Sequence, residues 1–381
     1  MKVGVLGGGQ LGRMFTARAR TMGYEVVVLD PDPVSPAGGI ATRHLCAPYD
    51  DPAALEQLAA SASAVTTEFE NVPVAALEFL ASRVLVRPDP GAVAIAQDRL
   101  REKAFLRAAD VPTAAFQPVT DADGLEAAWE TIRGPALLKT SRLGYDGKGQ
   151  APVASREEAR RAFASFGGVA CVLERRLTLE AELSVVLARG ADGAVVAFPP
   201  GENVHSRGIL HTTTVPTHLS RRLTDQALGM AAQVAARLEY VGVLGVELFV
   251  ADGGRLYANE IAPRPHNSGH FTLDACDVCQ FEQQVRTLCG LPLTPPRLLT
   301  AVCMINLMGD LWQRGEPDWG AALALPGVKL HLYGKREARP GRKMGHLNCM
   351  AATAARAHDL AQQAFERLSL KASGSPRGPA R

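Results

Sequence analysis

The stretch that decides the fold runs from Gly245 to His270 and reads GVELFVADGGRLYANEIAPRPHNSGH. GVELFVA and RLYANEI are strand-like, and Asp252-Gly253-Gly254 between them is a hairpin turn. With Gly253 and Gly254 at the centre, Asp252 pairs with Arg255, Ala251 with Leu256, and Glu247 faces Glu260. Directly opposed side chains share a face, with Cβ atoms about 4.5–5.5 Å apart. Two carboxylates there repel unless a cation lies between them. Hard oxygen ligands at that spacing suit Mg²⁺, which takes one or two carboxylates and completes its shell from phosphates and water. A pair exposed at a sheet edge is the plainer reading, and a longer loop or a bulge would break the register. Apolar strand flanks, with polar residues crowded at one end, favour the metal.

Pro263-Arg264-Pro265-His266-Asn267-Ser268 follows at once. The prolines stiffen an extended backbone and present Arg264, His266, Asn267 and Ser268 beside the carboxylates. Arginine forks onto phosphate or carboxylate, and the other three stabilise developing negative charge. Upstream, ALLKTSRLGYDGKGQ from Ala136 is a strand carrying Lys139, then a loop with Gly144, Gly147 and Gly149. Such loops aim backbone N–H groups at phosphate oxygens, and Lys139 and Lys148 add point charge. The spacing is not that of a P-loop. Downstream, YGKREARPGRKMGH from Tyr333 gathers Lys335, Arg336, Arg339, Arg342 and Lys343 around Gly341 and Gly345. That run reads equally as a solvated basic face or as a tight anion-binding turn.

The first part of the chain alternates strand and helix patterns, the signature of a parallel sheet. Strands start at Lys2 (KVGVLG), Glu25 (EVVVLD), Ala64 (AVTTEF) and Val84 (VLVRP), with helices over 11–22, 52–60 and 74–82 between them. Asp51 before Pro52 reads as an N-cap with proline in the first turn. Gly7, Gly9 and Gly12 spell G-x-G-x-x-G after the first strand, and Asp30 ends the second. This is the fingerprint of a dinucleotide site, and equally the glycine corner that any such domain needs between strand and helix. A long helix over 91–109 follows, and from Val111 short strands and glycine turns give an α+β organisation with helices over 123–132, 156–166 and 224–238. A further helix over 277–289 precedes the linker LPLTPPR.

The bulk properties set the frame. A length of 381 residues implies two or three domains. The chain is 47% apolar and 21% charged, as globular proteins are. A formal net charge of +2 gives no global pull toward nucleic acid or an anionic membrane. The sequence predicts neither a membrane-spanning helix nor a signal peptide. Seven scattered cysteines imply reduced thiols and a cytoplasmic setting, and Cys276-x-x-Cys279 reads as core thiols because no second pair completes a zinc site.

Together these pieces resemble the ATP-grasp superfamily. Within it, GGGQLGRM, TEFENVP, LGYDGKGQ, NEIAPRPHNSGH and GRKMGH look like the N5-carboxyaminoimidazole ribonucleotide synthase family. The likeness covers nearly the whole chain, to about Ala351. It implies an α/β and α+β protein: an ATP-grasp fold with an N-terminal doubly wound parallel-sheet (pre-ATP-grasp) domain. The implied division is an N-terminal domain over 1–98, a linker helix and small lid subdomain over 99–178, a large ATP-grasp and C-terminal subdomain over 179–368, and a disordered tail over 369–381.

The resemblance also implies roles. Arg99, Lys139, the loop Gly144, Tyr145, Asp146, Gly147, Lys148, Gly149 and Gln150, the hinge Glu174, Arg175, Arg176 and Leu177, and Glu182, His205, Asn259 and Glu260 would line ATP. Glu247 and Glu260 would hold Mg²⁺. Tyr145, Asp146, Arg264, His266, Asn267, Ser268 and Lys343 would carry the chemistry around bicarbonate and an imidazole amine. Gln10, Leu11, Glu70, Asn71, Lys335, Arg342 and Lys343 would bind 5-aminoimidazole ribonucleotide, so the glycine loop would serve that substrate rather than NAD. Lys148 stands where the family often has arginine, and ERRL from Glu174 is basic for an adenine hinge. The activity implied is ATP- and bicarbonate-dependent carboxylation of the ribonucleotide in purine biosynthesis by a cytoplasmic homodimer, with no nucleic-acid or membrane partner. Rival readings are a formate-using glycinamide ribonucleotide transformylase, a biotin carboxylase type and an NAD-dependent oxidoreductase.

Overall fold

The structure, a computed structural model, describes residues 1–144 and 148–369. Tyr145, Asp146 and Gly147, and nearly all of the expected tail, lie outside the described residues. Within them the strands form three sheets.

The first sheet is parallel. β1 (Lys2–Leu6), β2 (Glu25–Leu29), β3 (Arg43–Leu45), β4 (Ala64–Thr67) and β5 (Leu85–Val86) lie in the order β3-β2-β1-β4-β5. Valine-rich runs such as EVVVL suit strands buried on both faces. Alternate side chains enter different cores. Leu6, Val27 and Leu29 pack with Leu55, Leu58 and Leu77 of the helices Pro52–Ser61 and Val74–Ala81. Val3, Val5 and Val26 pack with Leu11 and Phe15 of the helix Gln10–Thr21. Phe281 and Val285 of the helix Gln280–Cys289 join that second core, so a late segment completes the first sheet's packing. Asp51 caps its helix as expected, accepting Ala54 N–H at 2.7 Å.

The second sheet is small and antiparallel, with β6 (Phe116–Val119), β7 (Ala136–Thr140), β8 (Gln150–Val153) and β9 (Cys171–Arg175) in the order β6-β9-β7-β8. The helices Ala122–Ile132 and Arg156–Ser165 cover it through Leu125, Ala128, Ala159 and Phe163.

The third sheet holds β10 (Leu179–Arg189), β11 (Val195–Ala197), β12 (Gly201–Ser206), β13 (Ile209–Val215), β14 (Gly242–Ala251), β15 (Arg255–Ala262), β16 (Ala301–Met308), β17 (Val328–Leu332) and β18 (Lys343–Ala351). Its order is β15-β14-β10-β12-β13-β16-β18-β17, with β11 beside β10. The helix Arg221–Arg237 packs Ala227, Ala231 and Val234 on Leu183, Leu244 and Leu248. Truncating a side chain such as Leu248 in this core should cost about 2–5 kcal/mol. Among the described residues no helix is long and apolar enough to cross a membrane.

The structure corrects several expectations. The single helix over 91–109 is two, Pro90–Ala96 and Arg99–Ala108. Asp98 breaks it by capping the second, accepting Leu100 N–H at 3.0 Å and Arg101 N–H at 3.4 Å. Strands β3, β6, β8, β12, β13, β16, β17 and β18 are present where none was expected. The hairpin also turns differently. Ala251, not Asp252, pairs with Arg255, and Asp252, Gly253 and Gly254 form the turn at φ 50°, 78° and 82°. That shift alone would set Glu247 opposite Asn259. A β-bulge beyond the Leu248–Ala258 pair takes up one residue, and Glu247 pairs with Glu260 after all.

Candidate active site

The paired carboxylates sit on β14 and β15 at one edge of the third sheet, which the helix Arg99–Ala108 covers. Glu247 Oε1 lies 3.1 Å from His266 Nε2, and Glu247 Oε2 accepts Asn259 Nδ2 at 3.3 Å. Burial works against charge on Glu247. The hydrogen bond and charge of His266, then His205 and Asn259, outweigh it and bring the carboxyl pKa down to about 2. Across the ladder, Glu260 Oε2 is 3.1 Å from Arg99 Nη1. Gly245 is a close-approach position here: a Cβ on it would come within 2.8 Å of His266 Cβ. Asn259 Oδ1 is buried without a hydrogen-bond partner among the described residues. An all-oxygen donor set of two carboxylates and an unpaired amide oxygen fits a small hard cation. No group of three or more His, Cys, Asp or Glu side chains forms a complete cage among the described residues, so further ligands would come from phosphates and water.

A buried charge cluster lies beside the pair. Glu174 ends β9, with Lys139 Nζ at 3.0 Å from Oε2 and Lys103 Nζ at 3.4 Å from Oε1. Burial alone would raise the Glu174 pKa; the two lysines reverse it and leave the value at about 2. Sequence reasoning missed Lys103, which is 1% exposed. Arg176 and Leu177 follow β9 in the connector to β10, where a hinge belongs, whereas the Arg175 side chain is held at the surface by Asp252 at 3.0 Å. Glu182 on β10 meets His205 Nδ1 from β12 at 2.9 Å. Arg99 Nη2 also donates to Gly144 O at 3.2 Å, and Thr140 N–H to Gly149 O at 2.7 Å, which ties the ends of the glycine loop to the helix Arg99–Ala108 and to β7. Gln150 pairs with Lys139 across the β7–β8 ladder, and Lys148 is exposed.

The turn after β15 is pinned by Gln280, which accepts His266 N–H at 2.9 Å and donates back to its carbonyl at 2.9 Å. His266 Nδ1 and Ser268 Oγ are 2.7 Å apart, and Ser184 Oγ donates to Ser268 Oγ at 2.6 Å. Both polar atoms of the Asn267 amide are buried without a hydrogen-bond partner among the described residues. Arg264 Nε donates to Glu70 Oε2 at 2.5 Å, joining the first sheet's edge to this turn. Burial opposes the charge on Glu70, and Arg264 overcomes it to hold the carboxyl below its usual range. Asn71 follows in the same surface turn.

The glycine loop has an internal occupant. Glu68 Oε2 accepts Gly12 N–H at 2.7 Å, and Glu68 Oε1 accepts Gly9 N–H. Asp30 Oδ2 accepts Gly8 N–H at 2.6 Å and the Tyr49 hydroxyl at 2.6 Å. A Cβ on Gly9 would sit 2.5 Å from Glu68 Oε1. The glycines make room for the protein's own carboxylate, and the donors and the acid that a dinucleotide would need are already engaged. Leu11 turns its side chain into the core, leaving only its backbone for a ligand. Gln10 Oε1 instead accepts Lys335 Nζ, which also donates to Lys343 O at 2.9 Å. The Arg342 side chain donates to Glu337 O at 3.1 Å. Cys276 and Cys279 lie in apolar cores, and all seven cysteines are free thiols.

A parallel-sheet domain followed by two antiparallel sheets that enclose lysines, a glycine loop and paired carboxylates defines an ATP-grasp protein. Residues 1–97 match the ribonucleotide synthetase preATP-grasp domain, 104–281 the ATP-grasp domain and 302–360 the phosphoribosylaminoimidazole carboxylase C-terminal domain. The chain is 46% identical to the N5-carboxyaminoimidazole ribonucleotide synthase of Brucella melitensis, over 91% of this chain and 95% of that one. The Staphylococcus aureus N5-carboxyaminoimidazole synthetase complexed with ADP superposes with a TM-score of 0.89 at 34% identity, covering 95% of this chain and 96% of that one. The Aspergillus clavatus synthase in complex with ADP and 5-aminoimidazole ribonucleotide gives 0.88 at 30% identity, over 96% and 98% of the two chains. The chain belongs to the N5-carboxyaminoimidazole ribonucleotide synthase family of ATP-grasp ligases.

Proposed function

We propose that the protein carboxylates the exocyclic amine of 5-aminoimidazole ribonucleotide, using ATP and bicarbonate, in purine biosynthesis. The observation that carries the reading is the opposition of Glu247 and Glu260 beside Arg99, Lys139 and the turn from Arg264 to Ser268.

Glu247 and Glu260 would hold Mg²⁺, with Asn259 Oδ1 within the same donor set. The ion, when bound, neutralises charge on the nucleotide's terminal phosphates. Lys139 and the loop from Gly144 to Gln150 cradle those phosphates, and the family resemblance gives Tyr145 and Asp146, which lie outside the described residues, their roles toward the acceptor. The backbone from Glu174 to Leu177 reads adenine, and Glu182, held by His205, takes the ribose hydroxyls. Phosphoryl transfer asks for position and charge more than covalent help. A bicarbonate oxygen attacks the γ-phosphorus, the bond to the β-phosphate oxygen breaks, and ADP leaves. Arg264, His266, Asn267 and Ser268 stabilise the resulting carboxyphosphate. The amine nitrogen then attacks the carboxyl carbon, inorganic phosphate departs, and the amine gives up a proton, with Asp146 and Lys343 as the groups proposed to steer it. Gln10, Glu70, Asn71, Lys335, Arg342 and Lys343 hold the ribonucleotide. The same reading makes the protein a cytoplasmic homodimer, in keeping with its free thiols and its family.

The test is ADP formation with bicarbonate present or omitted, with and without the ribonucleotide, followed by capture of ¹³C from labelled bicarbonate in the product. Turnover with formate and glycinamide ribonucleotide, and none with bicarbonate, would replace this reading with the transformylase one.

A further inference from the structure

The helix Arg99–Ala108 turns one face toward the bulge in β15. Arg99, Glu102 and Lys103 stand at i, i+3 and i+4, which share one side of a helix. Each engages a different one of three consecutive residues. Arg99 pairs with the Glu260 carboxylate at 3.1 Å. Glu102 Oε1 accepts the backbone N–H of Ile261. Lys103 Nζ donates to the backbone carbonyl of Asn259 at 3.0 Å.

The two backbone groups flank Glu260. They lie on the outer side of the edge strand, where no further strand takes them. An acceptor oxygen on the N–H and a nitrogen donor on the carbonyl match the two backbone groups; burial, then the charge of Glu260, pushes the Glu102 carboxyl up to about 8, and its Oε1 accepts in either protonation state. Both side chains are buried, 2% and 1% exposed. The bulge they grip is the feature that sets Glu260 opposite Glu247. Without it the register beyond the turn would pair Glu247 with Asn259 and carry Glu260 to the other face.

We propose that Glu102 and Lys103 are positioning residues that hold this bulge preformed, so that Glu260 opposes Glu247 before nucleotide arrives. The proposal rests on the reading of that pair as the Mg²⁺ site. Partners that orient a metal ligand typically change metal affinity about 10- to 100-fold when removed.

The test uses the full-length protein and the Mg²⁺ dependence of ADP binding, followed calorimetrically. Glu102→Met and Lys103→Met should each raise the Mg²⁺ midpoint about 10- to 100-fold; Glu102→Met should leave metal-free ADP affinity and melting temperature little changed, whereas Lys103→Met also takes one of its two lysines from Glu174 and should melt lower. Glu102→Gln keeps an acceptor at Oε1 and should recover most of the loss, which a merely structural carboxylate would not require. A folded methionine variant with the wild-type midpoint overturns the proposal. Amide exchange at Ile261 in the wild-type protein decides the matter without any variant. Protection already complete without metal supports a preformed bulge, and protection that appears only with Mg²⁺ and ADP overturns it. Glu260→Gln separates the two layers: an unchanged Mg²⁺ midpoint there removes the metal reading, while the exchange result still judges the clamp.

Discussion

Glu247 stands across the ladder from Glu260 because two irregularities cancel. The turn withdraws Asp252 from pairing, and the bulge at Asn259 restores the lost step. The expected opposition is therefore correct through a path that alternation alone does not describe.

Glu260→Gln and Glu247→Gln should each lower bicarbonate-dependent ADP formation by about 100-fold or more, since each removes one of the proposed anionic ligands. Unchanged circular dichroism would locate the loss in the site. Full activity in either variant would end the metal assignment.

The Glu70–Arg264 ion pair joins the end of the first sheet to the turn after β15, which is proposed to hold the acceptor. Hydrogen bonds to charged groups are worth about 1.5–3 kcal/mol. Glu70→Ala should accordingly raise the KM for the ribonucleotide by about 10-fold or more, leaving ADP affinity near wild type. Equal weakening of both ligands in steady-state and calorimetric measurements would contradict this role.

Glu174 links stability to pH. Its folded pKa is about 2 against a usual 4.5, so its contribution is fully present above pH 4.5 and is lost as pH falls through about 2. The linked contribution is on the order of 3 kcal/mol. Glu174→Gln leaves Lys103 and Lys139 without their counter-charge and should be less stable at neutral pH by about 3–5 kcal/mol. Urea denaturation across the pH range should show the gap to wild type narrowing below pH 4.5. A constant gap would place the effect elsewhere.

Gly12→Ala should destabilise the first domain, because the new Cβ would lie 2.5 Å from the backbone oxygen of Gly7, which cannot rotate aside. About 1–3 kcal/mol is expected for such overpacking, read from denaturation midpoints. NADH fluorescence should be unaffected by wild-type protein. Quenching by wild type that Gly12→Ala abolishes would revive the dinucleotide reading.

Much of the architecture was legible because it rests on strong local signals. Valine-rich runs, the Asp51-Pro52 cap and the Gly253-Gly254 turn each leave a mark in the sequence. Strand β12 left little, since GENVHS is polar and owes its conformation to its neighbours on both sides, whereas ILHTTTV of β13 is a β-branched run that carried a strand signal. Glu102 and Lys103 look like ordinary surface charges of an amphipathic helix. Nothing local tells that their face meets a strand more than 150 positions away. Glu68 is similar: the sequence displays the glycines and conceals what fills them. The residues proposed for the site leave marks in the sequence and their supports do not, because periodicity reports which side of an element is buried and not against what.

The contact between Gln10 and Lys335 spans 325 positions. A chain emerging from the ribosome would complete the packing of its first sheet only once the helix Gln280–Cys289 is out, and would then still lack Lys335 and Lys343. On the proposed assignment of Lys335 and Lys343 to the ribonucleotide, competence toward it would thus be acquired last in synthesis, so that a prematurely terminated product would be deprived of substrate capture before anything else.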